Sequence, residues 1–449
     1  MNFLLKIVSS IGFEPEGVKK YFTNTSWLIM ERIIRLLLAF LTTILIVRYL
    51  GPEKFGLYSY SISIVSLISV LAYAGLENIL TRELVKHPEK LNELLGTGFI
   101  LRLAGAILII IVLVIIGFAV KEPKLNFLMI LIIGTANVFQ PFGVIDFYFQ
   151  SKVQVKYSVI VQSASFFLLT IARILSIVFH AHVIVFAILI AVEALVCAIG
   201  YTIAYSSHGN KMFEWKYDRA VAKEFLQDSW PLILSGLAVS TFAKIDQVLL
   251  KFLVNEAGVG FYSAAVRIVE AWYFIPMAIT TSIFPAILNA KQTNEFEYKK
   301  RLEKLYDLMS VISIGIAIII SALSGTIIQL FYGERFISSA PVLSIYIWSG
   351  VATFLGVASN QFLIAENLTK LSLYRSVFGM VANILLNFVL IPVYGINGAA
   401  LATLISYFMS TFFIGIFKES REQVRLMIRS VFLVNAIKFV IKFALARRV

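Results

Sequence analysis

The sequence predicts an all-α, polytopic membrane protein of about twelve transmembrane helices. Three observations predict it. The 449-residue chain is 59% hydrophobic and only 14% charged, against roughly 25% charge in a soluble domain. Apolar runs of about 20 residues recur from end to end, each long enough to cross a hydrocarbon core of about 30 Å as a helix. The alternating segments of a membrane β-barrel are missing. Backbone groups in lipid are satisfied only within a helix or a closed barrel, so helices remain.

The apolar runs place spans at 26–50, 55–76, 94–119, 125–149, 157–179, 183–204, 229–253, 259–288, 305–330, 338–363, 371–392 and 395–417. Breakers mark most boundaries: Gly51-Pro52, Pro88, Pro123, Gly209-Asn210 and Gly395. Pro141, Pro231, Pro276, Pro285 and Pro341 fall inside spans and predict kinks there.

Orientation follows from Lys and Arg. Of 39, 27 lie in the N-terminal tail, the 2–3, 4–5, 6–7, 8–9 and 10–11 connections and the tail after Phe417. Arg375 is counted with the 10–11 connection. Six lie on the opposite side: Arg48, Lys54, Lys121, Lys124, Lys251 and Arg335. The membrane is read as the inner or plasma membrane of a bacterial or archaeal cell, and the bias puts both termini in the cytoplasm and requires an even number of spans. It also explains the net charge of +13 without nucleic acid. The lone Cys197 allows no disulfide, and His87, His180, His182 and His208 have no zinc spacing. Residues 1–25 read as a retained interfacial segment. Residues 418–449 read as a basic amphipathic helix on the inner leaflet, because a spanning helix would bury Lys438 and Lys442.

A repeat divides the chain. Gly56-Leu57-Tyr58-Ser59 opens span 2 and Gly260-Phe261-Tyr262-Ser263 opens span 8, each after a turn holding an acid, Glu53 or Glu256. The offset predicts two pseudo-symmetric six-helix lobes, 26–204 and 229–417, joined by a cytoplasmic linker, 205–228, with a substrate path between them.

Ionisable side chains inside spans are costly and mark function or pairing. Span 1 holds Glu31, Arg32 and Arg35; span 3 Arg102; span 5 Arg173; span 6 Glu193; span 7 Lys244 and Asp246; span 8 Arg267 and Glu270. Glu31 and Arg35 are four apart on one face, so they neutralise each other or Arg35 joins Arg102 in a cationic cavity wall. Asp246 and Arg267 lie at matching depth in a hairpin, which predicts an ion pair and leaves Lys244 pointing elsewhere. Arg173 and Glu193 either pair or serve passage. Asn360, Gln361 and Asn387 are polar cavity contacts or interhelical bonds. Tyr58, Tyr262, Trp272 and Tyr273 offer faces for sugar rings, with packing as their ordinary role.

Several stretches resemble the polysaccharide translocases, the Wzx-type O-antigen flippases, which share a superfamily with multidrug/toxin antiporters and lipid II flippases. They are 48–59 (RYLGPEKFGLYS), Lys244 to Leu250 followed by 259–265 (VGFYSAA) through Arg267 and Glu270 to Pro276 and Pro285, 394–400 (YGINGAA), and 146–150 (DFYFQ). The resemblance implies a V-shaped, alternating-access carrier of undecaprenyl-diphosphate-linked oligosaccharides, with Arg32, Arg35, Arg102, Arg173, Lys244 and Arg267 available to hold the head group. It implies a glycan polymerase and a chain-length regulator as pathway partners. Arg matches phosphate oxygens bidentately. No nucleotide-binding motif is present, so no cofactor is expected; energy, where needed, comes from an H+ or Na+ gradient or from downstream consumption of the glycan, with Glu193, Asp246 and Glu270 as candidate ion carriers. A cation antiporter, which the six-to-four excess of basic over acidic in-span residues disfavours, a lipid II flippase and a membrane glycosyltransferase or polymerase are the rival readings.

Overall fold

A computed structural model describes residues 15–73 and 75–432, with side chains from residue 34 except residue 72. Seventeen α-helices and no strand occur among the described residues. Helix α1 is Pro15–Tyr73, α2 Leu76–Lys86, α3 Leu91–Ala119, α4 Lys124–Phe139, α5 Val144–Ser151, α6 Val155–Val178 and α7 Val183–Ser207. These form the N-lobe. The C-lobe contains α8 Arg219–Leu253, α9 Glu256–Glu270, α10 Phe274–Thr293, α11 Glu295–Ala322, α12 Ser324–Tyr332, α13 Ser339–Tyr346, α14 Ser349–Ala365, α15 Thr369–Tyr394 and α16 Ile396–Phe413. Helix α17, Arg421–Val431, follows.

Two predicted spans share α1. Its apolar part, Ile34–Leu71, is 38 residues long, about 57 Å of helix, nearly twice a hydrocarbon core. Gly51 resolves the excess with φ 71°, a left-handed value that costs glycine nothing. The chain reverses there. Tyr49 donates to the Ala181 carbonyl and Tyr60 to Glu122, both in connections at one end of the bundle, while Arg35 and Tyr73 reach Gln162 and Asn137 farther away. Ten further helical segments qualify as spans by length and hydropathy, so the described residues make twelve passes. One face carries the tight turns near Gly51, Lys121, His180, Asn255, Gly333 and Gly395; we call it the hairpin face. The opposite face carries α2, the 208–218 linker and α17; we call it the linker face.

Prolines break several spans. Around Pro141 the helix tightens to a 3-10 turn between α4 and α5. Span 8 splits at 271–273 just before Pro276, and span 10 splits between α13, which contains Pro341, and α14. Missing amide donors and ring clashes with the preceding turn account for the breaks at Pro141 and Pro276; Pro341 sits in the first turn of α13, and the break at 347–348 lies beyond its reach. Pro231 and Pro285 stay within α8 and α10. Span 9 also breaks, between α11 and α12, without a proline.

The repeated motifs meet. A Cβ on Gly56 would overlap the Glu256 carbonyl, and a Cβ on Gly260 would overlap the Pro52 carbonyl. The two contacts are reciprocal, as a pseudo-two-fold axis through the hairpin face requires. Only glycine lets the two backbones approach this closely. Ser63 donates to Gln247 Oε1 at 2.5 Å, Arg48 to the Leu330 carbonyl at 2.7 Å, and Phe55 packs edge-on to Phe336. The lobes of the V are therefore joined at the hairpin face. At the linker face, contact comes from the start of α8: Arg82 pairs with Asp228 at 2.6 Å, and Phe225 is buried in the N-lobe core with Leu80 and Tyr205.

Helix α17 lies against the C-lobe. Gln423 donates to Tyr306 and Ser359, Ser430 donates to Asp307, and Met427 is buried, while Arg421, Arg425 and Arg429 are exposed. The polar first turns of α11 end at Asp307, so α17 sits at the polar-to-apolar boundary, as an interfacial helix does. Residues 1–14 and 433–449, with Lys438 and Lys442, lie outside the described residues.

Candidate functional site

Two groups of polar residues are built into the lobes. The first lies where α1, α6 and α7 face α8 and α9. Arg173 of α6 donates to Glu193 of α7, so the N-lobe pair forms. In the C-lobe, Lys244 reaches Glu270 at 3.4 Å and Arg267 reaches the same carboxylate at 3.6 Å. Two cations therefore share one anion. Tyr58 lies within electrostatic reach of Arg173, Glu193 and Arg267, which puts both sets around one half-buried ring. None of these groups is fully buried; Arg267 keeps 40% of its side chain exposed and Glu270 30%.

The expected Asp246–Arg267 pair does not form. Asp246 is 2% exposed and accepts from Tyr262 Oη at 2.5 Å, Thr403 Oγ1 at 2.5 Å and Asn387 Nδ2 at 2.6 Å. Its partners come from α9, α16 and α15, so the carboxylate knots four helices together. Equal depth did not decide the pairing: Arg267 sits five residues after Tyr262, on another face of α9, and three before Glu270, on Glu270's face. Lys244, two residues from Asp246, points away from it into the shared cluster, as the helix geometry requires.

The second group is a cavity of about 450 Å³ within the N-lobe. Its lining includes Glu77 from α2, Arg102 from α3, Asp146 from α5, Gln162 from α6, and Glu193 and Tyr201 from α7. Arg102 is 7% exposed. Its guanidinium lies over the rings of Tyr73 and Phe147, 4.9 and 5.1 Å from their centroids. Its Nε and Nη1 have no hydrogen-bond partner among the described residues. Buried polar groups are nearly always paired, so this one calls for an explanation. Arg35 reaches the cavity wall by donating to Gln162 Oε1 at 3.4 Å, and Gln162 donates to Tyr201.

The other expected positions divide. The side chains of Arg32 and Glu31 lie outside those described. Asn360 accepts from Arg375 at 2.9 Å and from Ser372 at 3.1 Å, so it is an interhelical contact rather than a cavity group. Asn387 is fully buried beside Asp246 and Asn383. Gln361 is half-buried on α14. Arg375, counted above with a connection, is a buried cation of α15 held by Ser359, Asn360 and the Gly356 carbonyl. Glu77 and Asp146 were missed as site residues. Glu77 follows the break after α1, and Asp146 follows the Pro141 turn that folds the end of span 4 back toward α3.

The fold and these lobes define a two-lobed, multi-pass helical membrane protein. The structure superposes on an inward-facing multidrug resistance transporter of the MATE family with a TM-score of 0.71, at 14% identity over 88% of this chain and 96% of that one. On the lipid II flippase MurJ, in its inward closed conformation, the TM-score is 0.68, at 15% identity over 92% of each chain. More specifically, the pattern of the polysaccharide biosynthesis protein family matches residues 22–291, and the chain belongs to that family; the MatE pattern matches residues 231–389. A probable flippase, AglR, of Haloferax volcanii is 31% identical over 179 residues, which span 38% of this chain and 37% of that protein. A putative O-antigen transporter of Shigella flexneri is 23% identical over 398 residues, 84% of this chain and 93% of that one. By family the chain belongs to polysaccharide biosynthesis, and the relatives it resembles are named as a flippase and an O-antigen transporter rather than as enzymes.

Proposed function

We propose that the protein carries polyprenyl-diphosphate-linked oligosaccharides from the cytoplasmic leaflet to the opposite one, with the linker face and both termini cytoplasmic. The observation that carries this reading is the sharing of Glu270 by Lys244 and Arg267 beside the Arg173–Glu193 pair. Three cations against two anions leave one positive charge uncompensated in the gap between lobes. A diphosphate leaving water draws that surplus to itself, and guanidinium groups grip its oxygens bidentately. The lipid tail stays in the bilayer while head and sugars cross.

Reconstituted vesicles with fluorescent polyprenyl-diphosphate sugars test it. Replacing Lys244 and Arg267 by Gln lowers movement between leaflets by at least about tenfold, the worth of one charge-assisted bond. A double variant as fast as the wild type overturns the reading.

For coupling to an ion we favour Asp246 over Glu193 and Glu270, because both of the latter face cations already. The Asp246 carboxylate sits by Asn387, whose Oδ1 is buried without a donor. A proton or a small hard cation such as Na+ suits oxygens so arranged. Transport by the Asp246→Asn variant loses its dependence on a Na+ or H+ gradient; unchanged dependence moves the coupling site elsewhere.

A further inference from the structure

The N-lobe cavity differs in chemistry from the inter-lobe cluster. Its charges do not favour an anion. Glu193 is already bound by Arg173, and the remaining carboxylates, Glu77 and Asp146, form no salt bridge among the described residues but lie within electrostatic reach of Arg102. Arg102, with Arg35 at the Gln162 wall, faces these two acids, so cations are not in surplus. A diphosphate entering here would meet two like charges with no excess of positive charge to offset its own.

The same walls suit a ligand that both donates and accepts. Arg102 only donates, the carboxylates only accept, and Gln162 and Tyr201 do either. Phe139 and Phe147 add apolar ring faces. The volume, about 450 Å³, falls in the range of sites for small organic ligands, and such sites pair apolar walls with a few placed polar groups. Hydroxyls around an apolar ring edge are the pattern of a sugar. Arg102 is unpartnered because its acceptor arrives with the ligand.

We infer that this cavity is a subsite for uncharged sugar rings of the transported glycan, separate from the cations that take the diphosphate. Its place in transport rests on the flippase reading; its ligand chemistry does not. Sorting the cargo this way lets the inter-lobe cluster recognise the constant diphosphate while the N-lobe cavity reads the variable sugar.

Cys197 lines the cavity and is the chain's single cysteine, so it reports occupancy. The full chain in detergent is treated with a maleimide in the presence of methyl glycosides of glucose, galactose and N-acetylglucosamine, and separately of inorganic pyrophosphate. At least one glycoside slows labelling several-fold, and pyrophosphate leaves the rate unchanged. Asp146→Asn and Arg102→Gln abolish the protection, and Glu77→Gln at the exposed rim weakens it. No protection by any glycoside, or protection by pyrophosphate, overturns the inference; this wild-type comparison decides even where a buried-site variant does not fold. Protection without leaflet-to-leaflet transport would instead count against the flippase reading alone.

Discussion

Within their membrane spans, the two lobes treat buried charges in opposite ways. In the C-lobe, Asp246 and Arg375 lie under 10% exposed and each has three protein partners. In the N-lobe, Arg102 is as deeply buried, yet two of its nitrogens have none. Satisfied charges fasten helices to each other. On the readings proposed above, an unsatisfied one beside a cavity is a cost retained for a ligand, and the related lobes divide labour, the C-lobe toward rigidity and the N-lobe toward cargo.

Substitution sharpens this contrast. Asp246→Leu leaves Tyr262, Thr403 and Asn387 without their acceptor and should cost about 3–5 kcal/mol, read as a lower midpoint of thermal unfolding in detergent. A stability close to wild type would remove the C-lobe half of the contrast. Gly260→Ala at the hairpin face should cost about 1–3 kcal/mol, because the added methyl strikes a carbonyl. A fall in the midpoint of thermal unfolding in detergent checks it. Gln423→Ala costs about 1–2 kcal/mol and speeds hydrogen exchange in α17, since Tyr306 and Ser359 lose a buried donor. Arg102→Leu should change stability by less than about 1 kcal/mol: it gives up ring contacts but removes an unpaired buried cation. A large loss there would show that the arginine is structural and would erase the contrast from the other side.

Much of the architecture was legible in the sequence. Hydropathy gave the spans, and the GLYS and GFYS motifs marked the two-lobe repeat. Pro141 and Pro276 foretold breaks, while the kink expected at Pro341 falls instead at 347–348. Side-chain pairing was less legible, because depth along a helix says nothing of rotation about it. That is why Asp246 seemed a partner for Arg267 when its neighbours were Tyr262, Asn387 and Thr403. The Asn383 and Asn387 pair, four apart in an apolar run, was a usable signal for this knot. Arg375 was hidden by its nearness to a connection. Glu77 and Asp146 were hidden because a short helix and a proline turn, rather than long spans, carry them into the cavity.

The crossed glycines have one more consequence. The seam between the lobes at Gly56 and Gly260 is closed by main-chain atoms on both sides. Such a joint has no rotamers to loosen one at a time, and its twin halves bear equal load. It parts in a single stroke or stays shut, so a partly opened exit, through which ions would leak, has little chance to persist.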